Sequence, residues 1–415
     1  QRSQTGKETA INVLFISPGY PAEMADFTRG LAQCGARVIG LGEHPPNALP
    51  AVVQRSLADY LRVPSLVDSD AVLATVRAKA ERLSIDRVEC LWEPFMTLAA
   101  QLREMLEVDG MHTAQTELFR DKKKMKDALD AAGLRTPRNC IATGAEAMRA
   151  AAATIGLPLV IKPIAGAGSA HTHEVRDAAT LEIAIADVGE HRKVSVEEYI
   201  EGEEYTFDTV CANGDILYEN IAWYRPKPII GRNVEWISMQ TINLRNIERP
   251  ELAAGRELGR RVIETLGFQT GFTHMEWFMT PSGEAVFGEI GGRPPGGRSV
   301  DLMNYSNDFD IYLGWAQAVT HGEFEQTAHH RYNAAAIFKR ARGQGRISAI
   351  HGLDGLRQRF GEHIVVEELL PIGAQRRNWR QTLLSDGYLI VRHPELARTL
   401  EIADAVGTEL QIDAR

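Results

Sequence analysis

The feature that most constrains the fold is a pair of short apolar runs, residues 274–279 and 284–290, joined by Thr-Pro-Ser-Gly. Pro and Gly at this spacing are typical of a turn, so the two runs predict a β-hairpin. Each strand carries one carboxylate, Glu276 and Glu289, and a hairpin brings facing side chains close together. Facing carboxylates repel each other unless a cation lies between them, and acidic oxygen ligands with positions left open for phosphate suit Mg²⁺. Taken alone, the hairpin is equally compatible with two solvated surface glutamates.

The whole-chain composition limits the classes of protein that fit. A chain of 415 residues is too long for one simple core, so two or three domains are expected. With 44% hydrophobic and 24% charged residues, a disordered or collagen-like chain is excluded. The formal net charge of −9 provides no global basic field for nucleic acid or anionic lipid, so an anionic ligand needs a local cluster.

Three further features predict a cytoplasmic protein. The four cysteines are scattered without CxxC spacing, which predicts reduced thiols rather than a disulfide or zinc framework. No apolar run reaches the roughly 20 residues that a membrane span needs. The first residues, QRSQTGKE, lack an apolar segment, so no secretory signal is predicted.

The first part of the chain alternates strand-like and helical stretches. Residues 11–17 form an apolar run, a helical stretch follows to about Cys34, and residues 36–41 form a second run. This rhythm predicts right-handed βαβ units and a parallel sheet. It continues through a helix near 70–83 and a strand near 88–92, so residues 1–112 are predicted to form an open α/β domain. No GxGxxG follows the first run, so a dinucleotide site is not expected there.

A smaller α+β unit is predicted near residues 137–200. An amphipathic helix over residues 117–133 precedes it, with Gly133 as its C-terminal stop. Within the unit, helices and strands alternate, at residues 146–155 (helix), 159–162 (strand), 178–187 (helix) and 193–200 (strand). Further along, the tail is predicted to hold a strand at 334–339 and a closing helix at 394–405.

Lys162 ends the apolar run LVIKP, directly before the small-residue segment IAGAGSAHT. An ammonium group beside glycines that let backbone N–H groups approach is suited to holding phosphate. The alternative is a structural lysine that caps the strand. A near-match to a P-loop at residues 292–299 (GRPPGGRS) is rejected, because Arg298 replaces the required lysine and two prolines lie inside it.

Four motifs follow one another along the chain: RDK (120–122), LVIKP with its glycine loop, VEEYIEGEEYTFD (196–208), and the two glutamate strands ending in EIGGR (289–293). In this order they resemble the ATP-grasp superfamily, the carboxylate–amine ligases related to D-alanine–D-alanine ligase, biotin carboxylase and the L-amino-acid ligases. The resemblance covers nearly the whole chain. It implies an α/β fold with an N-terminal open parallel domain (1–112), a two-part α+β ATP-grasp domain (113–325, lid subdomain about 137–200) and a small C-terminal α+β lobe (326–415).

The resemblance also implies a role for each matching residue, with ATP and Mg²⁺ (or Mn²⁺) as cofactors. The nucleotide would be held by Lys122 and Lys162 at the phosphates, by Gly166, Gly168 and Ser169 in a mobile phosphate loop (164–172), and around adenine and ribose by Glu197, Tyr199, Ile200 and Glu204. In these roles Glu197 takes the adenine amino group, the backbone at Tyr199 and Ile200 binds the rest of the ring, and Glu204 binds the ribose hydroxyls. Glu276 and Glu289 would ligate the metal. Arg293 and Lys162 would be catalytic, with Arg293 stabilising the acyl phosphate and the oxyanion that follows it.

The implied function is an enzyme, an ATP-dependent ligase that activates a carboxylate as an acyl phosphate and joins it to an amine through a C–N bond. Amino acids are the expected substrates, and ADP and phosphate the co-products. One position departs from the family pattern: many relatives carry Asn where this chain has Gly291, which leaves the number of metal ions open. The alternatives are a biotin-carboxylase-like carboxylase and an inactive nucleotide-binding sensor or partner module.

The remaining polar and aromatic residues near the motifs are expected to be structural. His274, His171 and His173 are interpreted as structural histidines, and residues 223–225 (WYR) as a packed strand end rather than an acceptor pocket. Small-molecule carboxylate and amine substrates are the expected partners, with no nucleic acid and no membrane. The oligomeric state is open, with a homodimer the commonest arrangement.

Overall fold

The computed structural model describes residues 10–164 and 172–415. The N-terminal unit is a parallel sheet in the order β3-β2-β1-β4, made of β1 (Asn12–Ile16), β2 (Arg37–Gly42), β3 (Leu57–Arg62) and β4 (Arg87–Glu89). Its helices are α1 (Met24–Gln33), α2 (Ala51–Ser56), α3 (Ser69–Arg77), α4 (Ala80–Leu83) and α5 (Met96–Leu106). The predicted open parallel α/β fold is confirmed.

Alternate residues of β1 enter two different cores, as a strand covered on both faces requires. Leu14 and Ile16 pack with α3 and α5. Val13 and Phe15 pack on the opposite face, where Phe27 of α1 lies against Trp315 from a later helix with ring centroids 5.1 Å apart. This second core attaches the N-terminal unit to the rest of the chain.

The helix predicted over residues 117–133 is two helices, α6 (Thr113–Leu118) and α7 (Lys122–Ala131). The break occurs because the Asp121 carboxylate accepts from the amides of Lys123 and Lys124, at 2.9 and 3.0 Å, and so caps a new helix. The prediction of one helix was wrong here. The break makes Lys122 the first residue of α7.

The small α+β unit is a four-stranded antiparallel sheet in the order β5-β8-β6-β7. Its elements are β5 (Asn139–Thr143), α8 (Ala145–Ile155), β6 (Leu159–Pro163), β7 (His173–Val175), α9 (Ala178–Val188) and β8 (Lys193–Glu198). Leu159, Ile161 and Val196 pack against the helices from one face of this sheet. The predicted alternation of strands and helices is confirmed, although β8 ends at Glu198 rather than residue 200.

The central sheet begins with β9 (Glu203–Ala212), β10 (Asp215–Asn220), β11 (Ala222–Arg225), β12 (Gln240–Asn243), β13 (Gly271–Met279), β14 (Ala285–Gly291) and β15 (Asn333–Phe338). Between these strands lie α10 (Pro228–Asn233), α11 (Ala253–Thr265), α12 (Asp301–Asn307) and α13 (Ile311–His321), which carries Trp315. The predicted hairpin is confirmed: β13 and β14 pair antiparallel, with Glu276 opposite Glu289.

The tail divides its strands between the central sheet and a small sheet of its own. It contributes β16 (Arg342–Gly343), β17 (Ile347–His351), α14 (Leu353–Phe360), β18 (Ile364–Leu369), β19 (Gly387–His393), α15 (Leu396–Glu409) and β20 (Gln411–Ala414). The strand order β14-β13-β9-β11-β12-β15-β19-β18 shows that the central sheet continues past residue 326, where a domain boundary was predicted. A smaller sheet, β16-β20-β17, lies beside it. Among the described residues, no helix is both long and apolar enough to span a membrane.

Candidate active site

The two hairpin glutamates face each other because of a β-bulge. Glu276 pairs with Glu289, but the next pair is Trp277 with Phe287, so Gly288 is the extra residue. A Cβ at Gly288 would lie 2.8 Å from the carbonyl oxygen of Glu276, which only glycine avoids. The bulge therefore places both carboxylates, each about 30% exposed, side by side at one edge of the sheet.

Two cationic side chains from distant parts of the sequence lie at this edge. Lys122, at the start of α7, places its Nζ 2.8 Å from Oε2 of Glu289. Arg293, just after β14, pairs with Glu93 of the N-terminal unit, with Nη2 2.6 Å from the carboxylate oxygen. Lys122 was predicted to contact phosphate, and its position beside Glu289 puts it within the same cluster.

Glu276 is flanked by a buried polar chain that sequence analysis did not find. Nε2 of His274 is 3.7 Å from Glu276, and its Nδ1 is 2.6 Å from Asp208 on β9. Tyr224 of β11 donates its hydroxyl to Glu276 at 3.4 Å. Burial would lower the pKa of His274, but the Asp208 carboxylate and then Glu276 raise it to about 9. The imidazole is therefore cationic at neutral pH, which places a positive charge beside Glu276.

Lys162 and Glu197 lie in a buried triad with Lys126. Lys162 Nζ is 2.7 Å from one carboxylate oxygen of Glu197 and Lys126 Nζ is 2.6 Å from the other. Glu197 was predicted to bind the adenine amino group. In the structure, however, both of its carboxylate oxygens already pair with ammonium groups. Lys126 was missed, although it lies one helical turn after Lys122 on α7, a spacing that places both on one face.

The predicted adenine and ribose positions lie beside this triad. Lys227 donates to the Ile200 carbonyl at 3.1 Å, and its Nζ lies 4.7 Å from the centre of the Tyr199 ring. The Tyr199 amide donates to the Pro158 carbonyl at 3.2 Å. Within the described part of the chain, the Tyr199 carbonyl and the Ile200 amide are thus the backbone groups left for a purine edge.

Glu204 is the second residue of β9 and is only 6% exposed. Burial raises the pKa of this carboxyl well above its usual range, and neighbouring Glu276 adds to the effect. A buried carboxyl group with a raised pKa can both donate to and accept from hydroxyl groups, as the predicted ribose contact requires. Gly166, Gly168, Ser169 and His171 lie outside the described residues. His173 pairs with Asp187 at 2.8 Å, on the surface of the small unit.

The cluster offers a cation two carboxylates and no complete protein cage. No group of three or more His, Cys, Asp or Glu side chains among the described residues is arranged to hold a metal. This donor set fits Mg²⁺, which keeps waters and takes substrate phosphate oxygens in addition to one or two carboxylates. Gly291, the position at which the resemblance would place Asn in many relatives, pairs with His274 in the sheet.

Comparison with known proteins finds an ATP-grasp domain and a shared fold. Residues 119–221 match the family model of the ATP-grasp domain. The fold is shared with the L-amino acid ligase of Bacillus licheniformis, at a TM-score of 0.77 and 20% identity over 98% of this chain and 99% of that one.

Two curated enzymes are similar to the chain in sequence. The chain is 25% identical over 302 residues to the formate-dependent phosphoribosylglycinamide formyltransferase of Erythrobacter litoralis, which covers 69% of this chain and 72% of that enzyme. It is 26% identical over 219 residues to the L-arginine-specific L-amino acid ligase of Bacillus subtilis, which covers 51% of this chain and 52%, about half, of that enzyme. The chain therefore carries a match to the ATP-grasp domain and is similar to ligases.

Proposed function

We propose that the enzyme is an ATP-dependent carboxylate–amine ligase that joins two amino acids through an acyl phosphate, releasing ADP and phosphate. The observation that carries this proposal is the register pair Glu276–Glu289, with Lys122 and Arg293 at its edge. Opposed carboxylates beside two cations form a site for a metal-bound triphosphate and for the anions made from it.

The cluster suits the first step of such a reaction. A carboxylate is a poor electrophile, so its oxygen first attacks the γ-phosphorus of ATP, and the bond to the ADP oxygen breaks. Glu276 and Glu289 would hold Mg²⁺ (or Mn²⁺), which neutralises charge on the phosphate oxygens when bound. Lys162 and Lys122 supply further positive charge for the phosphates.

Arg293 suits the second step. The amine nitrogen attacks the acyl carbon, the C–O bond to phosphate breaks, and the amine loses a proton as inorganic phosphate leaves. The planar guanidinium holds a phosphate or an oxyanion through paired hydrogen bonds. Pairing with Glu93 fixes the guanidinium before the substrate arrives, and burial and this carboxylate act in opposite directions on the pKa of Arg293, the net result being a raised value.

Amino acids are proposed as substrates because two of the proteins described above are L-amino acid ligases. A second candidate carboxylate is formate, which the similarity to a formate-dependent formyltransferase favours. The proposed setting is the cytoplasm, where the free thiols of Cys34, Cys90, Cys140 and Cys211 stay reduced. A homodimer is the proposed assembly.

The test is release of ADP and phosphate from Mg-ATP, with each amino acid and formate offered singly and in pairs, followed by mass spectrometry of the product. Release that needs a pair, with a product mass equal to the two substrates minus water, supports the ligase. A Glu289→Ala variant is the matched control. Equal ATP consumption by the wild type and this variant contradicts the metal assignment, and tight ATP binding without any release supports the inactive-binder alternative.

A further inference from the structure

A second cavity lies at the other end of the central sheet. Its volume is about 730 Å³, within the roughly 300–1,000 Å³ typical of small-molecule sites. It opens between β10, the loop after β12 (residues 244–249) and the segment before β15 (residues 328–333). None of the active-site residues described above lines it. Leu217, Leu244 and Leu396 form an apolar wall.

Two arginines, Arg245 and Arg249, line this cavity. Arg245 donates from Nε to the His330 carbonyl at 3.0 Å and from Nη1 to the Pro394 carbonyl at 3.4 Å, so backbone oxygens orient its guanidinium. Arg249 has a buried Nε with no hydrogen-bond acceptor. Within residues 10–164 and 172–415, neither guanidinium has a carboxylate oxygen within 4.0 Å. Arg245 is exposed and Arg249 is half-buried, so both add positive charge to the cavity that no nearby described carboxylate pairs with.

The acidic groups at the cavity do not cancel these charges. Glu219 is already neutralised by Arg256, which contacts its Oε1, and by Arg260, whose Nη2 is 3.0 Å from its Oε2. Glu248 is exposed, with its backbone amide bonded to Asn246. His330 lies among the same residues. Burial lowers the pKa of its imidazole, and Arg256 adds to this effect, whereas Glu219 and Glu248 act in the opposite direction. The net result is a lowered pKa, so the ring is neutral at pH 7. The cavity thus has a positive head region and an apolar wall.

We propose that this cavity binds a small organic anion, with a carboxylate or phosphate head on Arg245 and Arg249 and an apolar body against the leucine wall. An arginine fork bonds either head through two parallel N–H groups, and the bonds are strengthened by charge. Anchoring of the Arg245 guanidinium by two carbonyls reduces the entropy lost on binding. The site is independent of the proposed ligase chemistry, because no residue of the catalytic cluster contributes to it.

Isothermal titration of the full chain tests the site, with saturating Mg-AMPPNP present to fill the nucleotide site. Three probes separate the two kinds of head and the apolar contribution: orthophosphate, malate and phenylpropionate. Arg249→Gln removes one anchor, and Arg77→Gln is the matched control, since Arg77 is an exposed arginine on α3 of the N-terminal unit. Ala328→Phe narrows the cavity without changing charge.

The proposal predicts that at least one probe binds, that Arg249→Gln weakens it at least tenfold, and that Arg77→Gln leaves it unchanged. Phenylpropionate binding tighter than malate identifies a carboxylate with an apolar body, and orthophosphate binding tighter than both identifies a phosphate head. Ala328→Phe is expected to abolish binding of phenylpropionate, and thermal unfolding shows that each variant is folded. Failure of all three probes to bind at millimolar concentration overturns the site, and so does binding that neither Arg249→Gln nor Ala328→Phe changes.

Discussion

Arg293 donates from both Nε and Nη2 to the same carboxylate oxygen of Glu93, at 2.7 and 2.6 Å, across 200 positions of sequence. Arg293 follows the second glutamate strand of the central sheet, whereas Glu93 lies just after β4 in the N-terminal unit. The N-terminal unit therefore holds the guanidinium proposed to act on the acyl phosphate. Burial would raise the pKa of Glu93, but Arg293 and then Arg120 outweigh burial and lower it, so the carboxylate is charged.

Glu93→Gln is expected to lower kcat about tenfold to a hundredfold, because a hydrogen bond to a charged group contributes about 1.5–3 kcal/mol. The KM for ATP should change little, since the nucleotide positions lie on other elements. Steady-state ADP release measures both constants. Glu81→Gln, on the exposed face of α4, is the matched control. An unchanged kcat in Glu93→Gln would show that Arg293 needs no support from the N-terminal unit.

Glu289→Ala is expected to reduce ATP turnover at least a thousandfold without unfolding the protein. The variant removes one of two proposed metal ligands and leaves Lys122 without the partner that lies 2.8 Å away. Glu289 is partly exposed, so its loss creates no buried cavity. Titration of activity with Mg²⁺ and a thermal unfolding curve separate the two effects. The control is Glu284→Ala, an exposed glutamate just before β14; if it loses as much activity, the assignment to Glu289 fails.

The buried triad predicts an order of stabilities. Glu197→Gln leaves Lys126 and Lys162 without their anion, and breaking a buried pair in this way costs about 3–5 kcal/mol. Lys126→Met costs less, because Glu197 keeps Lys162 at 2.7 Å and burial already lowers the pKa of Lys126 to about 8. Denaturant unfolding gives both values, with the exposed Glu190→Gln as control. A Lys126→Met variant less stable than Glu197→Gln is the contrary result.

The sequence predicted elements whose signal is local, and the site residues it missed depend on long-range contacts. The hairpin with Glu276 and Glu289 follows from two apolar runs and a turn. The break before Lys122 is a local signal that was overlooked, since Asp121 is a good N-cap residue. Glu93, by contrast, lies in no motif, and Asp208 ends the motif at residues 196–208 without a role assigned from sequence. They reach the site because a parallel sheet and β9 bring them next to Arg293 and His274.

His274 provides the pH-dependent prediction. Burial would lower the pKa of its imidazole, but Asp208 and then Glu276 raise it. The pKa in the native state is about 9, against 6.5 for a free imidazole. The native state holds this proton up to about pH 9, whereas the unfolded chain releases it near pH 6.5. The stabilisation is therefore fully present below pH 6.5 and is lost as the pH rises through 9. At about 1.4 kcal/mol for each pH unit, it amounts to about 3 kcal/mol.

Metal-free protein in EDTA should accordingly lose free energy of unfolding between pH 6.5 and 9, and His274→Gln should lose much less over the same interval. His44→Gln, an exposed histidine in the N-terminal unit, should behave as the wild type does. Equal slopes in His274→Gln and the wild type would mean that the imidazole is neutral in the native state. In that case Asp208 and Glu276 would share no cation, and the positive charge beside Glu276 would have to come from Lys122 and Arg293 alone.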